Sequence, residues 1–227
     1  MGRMPDAWSL AGADTVGVTT GRQVTELIEL GRDREAAELG GEPMDVLTQL
    51  DELAPLLGGV VGSLSVDDLD RPTPCASFSV RGVLEHMSTG ALSFSAAFRG
   101  EAVAEPQPDL SDVLAAFGPA LTDLGAAIAS DGALSRVVAA PFGDVPGETF
   151  ARFVVLDGLV HGWDLSRAVG VPYAPSDALV ADVAAFAEDA LPPLRDGGAT
   201  FADAVEPRKG ATPIERLAAF TGRQATA

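Results

Sequence analysis

The chain has 227 residues, 47% of them apolar, and a net charge of −18. That is enough apolar material for one packed domain, with or without an appendage. The acidity argues against nucleic acid and anionic lipid as partners, since both are recognised through basic patches, and no stretch approaches the ~18 unbroken apolar residues of a membrane span.

The first residues, Met1 to Trp8, lack the charged-then-apolar layout of a secretory signal. A cytoplasmic protein is expected. Cys75 is the single cysteine, so no intrachain disulfide can form.

Residues 1–43 differ from the rest. Residues 10–21 are rich in Gly, Thr and Ala without a period, and 24–39 could form a short charged helix. Gly40-Gly41-Glu42-Pro43 then punctuates the chain. A loosely attached N-terminal extension is expected here, with Met44 near the start of the domain proper, which spans 44–223.

A helix opens at Met44-Asp45. Leu47, Leu50, Leu57 and Val61 recur at helical spacing, with Leu53, Leu56, Val60 and Leu64 on an adjacent stripe. Pro55 and Gly58-Gly59 are expected to bend it. A loop over 67–78 carries Arg71-Pro-Thr-Pro-Cys75, and Ser79 is a candidate N-cap for a second helix over 80–98. A third helix is expected over 111–129, with a kink at Gly118-Pro119.

Residues 136–147 read as an irregular or hairpin connection. A fourth helix follows over 148–169, stopped by Gly170 and Pro172. A fifth covers 176–191 and a short one 213–220. With no convincing strand run, this pattern predicts an all-α fold: an antiparallel four-helix bundle with extra C-terminal helices.

The chain has two histidines. His86 lies on the second helix and His161 on the fourth, four residues after Asp157. Residues four apart share a helix face, so Asp157 and His161 can grip one ion, with His86 supplied from the facing helix. Two imidazoles and one carboxylate suit Zn, Ni or Fe(II) and leave coordination positions open, as in a working site. The plain alternative is an i,i+4 pair beside a hydrogen-bonded core histidine.

Four glycines, Gly82, Gly90, Gly158 and Gly162, flank these residues at ~1 kcal/mol each relative to alanine. Either room for a ligand or close helix approach would explain them. Asp164 can orient His161 from behind or pair with Arg167 at the surface. Trp163 can line a pocket or fill the core. Cys75 has no base beside it in the sequence and reads as packing. No phosphate loop, Cys-x-x-Cys or Gly-x-Ser-x-Gly motif is present.

Three separated motifs occur in an order that resembles the mycothiol-dependent maleylpyruvate isomerase-like proteins of the DinB superfamily. The first runs from Arg71 to His86. The second joins Pro141-Phe-Gly-Asp-Val-Pro-Gly147 to Asp157-Gly-Leu-Val-His161-Gly-Trp-Asp164 and on to Gly170. The third, Thr212 to Arg223, is similar to the closing segment of an actinobacterial metal-binding subgroup.

The resemblance implies a DinB-like bundle with a divalent metal, zinc foremost, on His86, Asp157 and His161, and mycothiol as cosubstrate. The expected activity is S-transfer to, or isomerisation of, a small electrophile, in a monomer or homodimer. A thiol-independent hydrolase, with Asp164 or Glu85 as base, and a non-catalytic metal- or ligand-binding protein are the alternatives. The carboxylate is aspartate where the isomerase commonly has glutamate, and Phe78 stands where tryptophan is usual. The chain is short for the isomerase's additional C-terminal domain, so maleylpyruvate isomerisation itself is not carried over.

Overall fold

The computed structural model describes residues 44–102, 110–140, 143–195 and 202–224, together with Glu26. The extension expected over 1–43 otherwise lies outside the described residues. The described residues include six α-helices, two short 3-10 helices and one two-stranded ribbon.

Helix α1 (Val46–Val61) starts where the Asp45 carboxylate accepts hydrogen bonds from the Leu47 and Thr48 amides. It runs on through Pro55, as α3 (Val113–Ile128) runs on through Pro119. Both prolines are exposed, so solvent can satisfy the carbonyl that each leaves without an N–H partner. Helix α2 (Val80–Arg99) begins at Ser79, whose hydroxyl accepts from the Gly82 amide, and ends at Gly100 in the left-handed conformation.

The connection over 136–147 is a hairpin. Strand β1 (Val137–Ala140) pairs antiparallel with β2 (Gly143–Pro146), with Val138 opposite Val145. Both valines are buried while Val137 is exposed. Chain direction then changes at Gly147, where a Cβ would collide with the Ala133 carbonyl oxygen.

Helix α4 (Gly147–Val169) is the centre of the fold. It is buried almost all round, from Phe150 through Trp163 to Ser166, as expected of a helix covered on every side. In the bundle, α1 and α2 pack against it, and α3 packs against α2 and α1. Helices α5 (Asp177–Ala190) and α6 (Pro213–Phe220) pack against α4 and each other.

Burial on α1 does not follow the two expected stripes. Val46, Gln49, Leu53, Leu57 and Val60 are buried, and Gly158 and Gly162 of α4 let Leu53 and Leu57 lie close. Leu47 and Leu50, on the same expected stripe as Leu57, stay partly exposed and face a cleft between α1 and α3. The Glu52 carboxylate fixes α1 to the start of α5, accepting from the Ser176 amide at 2.8 Å and its hydroxyl at 2.9 Å. No helix among the described residues is long and apolar enough to cross a membrane.

Candidate metal centre

Helix α2 delivers His86, and α4 delivers Asp157 and His161. One donor atom from each lies within 4.8 Å of the others. His86 Nε2 is 3.4 Å from Asp157 Oδ1, and His161 Nε2 is 3.5 Å from the same oxygen. Two ligands bound at ~2.1 Å and separated by a tetrahedral angle would stand roughly 3.4 Å apart. Both separations from Asp157 Oδ1 to the Nε2 atoms match that spacing. The structure brings together all three residues singled out in the sequence.

The ring orientations have causes in the surrounding chain. His161 is 3% exposed, and its Nδ1 lies 3.0 Å from Asp164 Oδ2. Taking up that hydrogen bond with an Nδ1 proton leaves the Nε2 lone pair facing Asp157. Asp164 is wholly buried. Its Oδ2 also accepts from Arg223 Nε and Nη2, each at 3.2 Å, so its cationic partner is Arg223 and not Arg167, which is exposed.

Arg223 follows α6, where the Thr212–Glu215 capping box and Pro213 fix the start of the helix. Its amide donates to the Ala218 carbonyl at 2.9 Å. The third motif of the sequence thus carries a cation into the interior behind His161. Sequence reading missed this role. Its only signal was a motif ending in arginine, 59 residues from the acid it meets.

Phe78 is the second residue missed. Its ring stacks on His86 at 5.1 Å between centroids and meets His161 edge-on at 6.0 Å. The loop that holds it is pinned by Thr73, whose hydroxyl reaches the Phe78 carbonyl at 2.7 Å, and by the Val80 amide donating to Arg71 at 3.0 Å. The first motif builds this wall as well as the helix start.

The Asp157 carboxyl is taken out of bulk water, which pushes its pKa up. The charges of His161 and His86, the hydrogen bond with His86 and the charge of Arg223 outweigh that and hold it at about 2. The Cys75 thiol is half-buried. Burial pushes its pKa up, with Arg223 opposing and Asp164 and Asp157 adding to the rise; it is a protonated packing group rather than a nucleophile. Trp163 is in the core and does not line the cleft.

His86 and Asp157 form one end of a cleft of about 750 Å³ bounded by α1, α2, α3 and α4. His161 stands behind them, sealed from it. A cation on these donors would be approached from the cleft side.

The family model described as mycothiol maleylpyruvate isomerase N-terminal domain matches residues 50–166, just over half of the chain. Uncharacterized proteins from two strains of Mycobacterium tuberculosis are each 28% identical over 181 residues, covering 79% of this chain and 98% of their own length. No solved structure matches.

Proposed function

Because the chain belongs to the mycothiol maleylpyruvate isomerase N-terminal domain family, we propose that it is a metal-dependent, thiol-using enzyme. In this reading His86, Asp157 and His161 hold one divalent cation, and a low-molecular-weight thiol, mycothiol, reacts with a small electrophile by S-transfer or thiol-assisted isomerisation. The observation that carries it is the convergence of two imidazole nitrogens on one carboxylate oxygen at the end of a cleft. A divalent ion on such donors supplies Lewis acidity that stabilises a thiolate at neutral pH.

The chain's own residues do the rest. Asp157 and the two Nε2 atoms bind. Asp164, held by Arg223, orients His161 and fixes its tautomer. Phe78 covers the His86 ring and excludes water from that side. Asp157 supplies the one anionic donor of the set.

The two bases considered for the hydrolytic alternative are poorly placed. Asp164 is enclosed and already engaged by His161 and Arg223, and Glu85 does not line the cleft. A metal ion would acidify water as well as a thiol, so the match to a mycothiol-related family is what favours thiol chemistry.

The test is an assay of metal-replete protein with mycothiol and a panel of electrophiles. Thiol consumption that disappears in His161→Ala is expected. Turnover in thiol-free buffer, or no consumption with any metal, would contradict the proposal.

A further inference from the structure

The cleft beside the candidate centre says which electrophile fits. Its α1 wall presents Leu47, Leu50 and Val61, and its α3 wall Leu114 and Leu121, all incompletely buried. Phe94 and Val154 close the floor. Hydrocarbon that could have packed helix against helix is instead left lining open space. At about 750 Å³ the cleft falls within the ~300–1,000 Å³ range of small-molecule sites.

The charged groups along this wall are carboxylates, Asp51 and Asp157, and no lysine or arginine lines it among the described residues. A carboxylate or phosphate seated along these walls, away from the donor end, would meet apolar and acidic side chains in a chain of net charge −18, with no lysine or arginine to offset its desolvation. Resting on the thiol-enzyme reading above, we propose that the cleft seats the electrophile and selects a neutral, largely hydrocarbon molecule, its reactive carbon at the His86–Asp157 end. This separates the protein from an isomerase acting on a dicarboxylate.

Two glycines give a clean way to fill the cleft. Gly58 of α1 and Gly125 of α3 line it, and a Cβ at either meets nothing within 4 Å. Leucine is a better helix former than glycine and neither position precedes a proline, so the Gly58→Leu/Gly125→Leu variant is expected to fold.

The experiment uses the full chain and Nile red, a neutral fluorescent probe, displaced by 1-decanol or by decanoate at pH 7. Decanol is expected to displace the probe at least tenfold more tightly than decanoate. The double leucine variant should lose probe affinity at least tenfold with no fall in Tm. Equal or tighter binding of decanoate overturns the proposal. So does unchanged probe affinity in the double variant, or a dimer in sedimentation that this variant dissociates, since the cleft would then be covered by a second copy. Metal analysis of the same samples keeps the two claims apart. Neutral-probe binding by a chain that takes no metal refutes the metal reading alone; full metal with no probe binding refutes the substrate class alone.

Discussion

Asp164 Oδ2 stands 3.0 Å from His161 Nδ1 and 3.2 Å from Arg223 Nη2. One buried oxygen therefore joins a metal-facing imidazole to a cation carried by the last helix. Removing either end has a distinct consequence. Asp164→Asn keeps the shape but weakens the hold on the His161 ring, and metal affinity is expected to fall ~10–100-fold. Competition with a chelating dye measures this.

Arg223→Ala acts first on the fold. It leaves the enclosed Asp164 carboxylate without its cation, which costs about 3–5 kcal/mol when a buried pair is broken. A large fall in the urea midpoint is expected. A change of under about 0.5 kcal/mol, the range of a surface substitution, would show that the pair is not closed in solution.

Much of this scaffold is legible in the sequence. Ser79 and Gly170 mark helix ends because capping chemistry is local, and the four-residue spacing of Asp157 and His161 puts them on one face. The sequence does not distinguish a hairpin from an irregular loop over 136–147, since Val137-Val-Ala-Ala140 has no alternation to declare a strand. The Asp164–Arg223 pair is not legible, because only tertiary packing decides which of several arginines meets a buried acid. Nor is the cleft: Leu47 and Leu50 look as fit for packing as Leu57, which shares their stripe and packs.

Gly162 of α4, unlike Gly158, does not line the cleft. A Cβ on Gly162 would sit 2.6 Å from the Tyr173 hydroxyl oxygen and 3.0 Å from a Leu57 methyl. Gly162→Ala is therefore expected to destabilise by about 1–3 kcal/mol through overpacking, despite alanine's better helix propensity. Thermal unfolding checks it, and a raised Tm would contradict the close approach of α1.

Acid should act at two levels. For metal-free protein, Asp157 has its folded pKa depressed from 3.8 to about 2. Its contribution to stability is thus present above 3.8 and lost as pH falls towards 2. Asp157→Asn is expected to flatten that limb of the stability profile. For the metal-loaded protein, imidazoles must be deprotonated to bind, and free histidine titrates near ~6.5, so metal affinity should fall as pH drops from 7 to 5. A calorimetric titration at each pH follows it.

Cys75 offers a check on the division of labour. Burial raises its pKa, so iodoacetamide at neutral pH should alkylate it more slowly than free cysteine. Cys75→Ala should leave mycothiol consumption intact. A thiolate-fast rate, or activity lost in this variant, would return the residue to the chemistry.

The central claim is that His86, Asp157 and His161 hold one ion together. Elemental analysis of tag-free protein, wild type beside His86→Ala, tests it most directly. The account predicts about one divalent metal per wild-type chain, the stoichiometry of a mononuclear site, and a near-complete loss in a folded His86→Ala. Metal-free wild type after loading, or equal metal in both proteins, would contradict it.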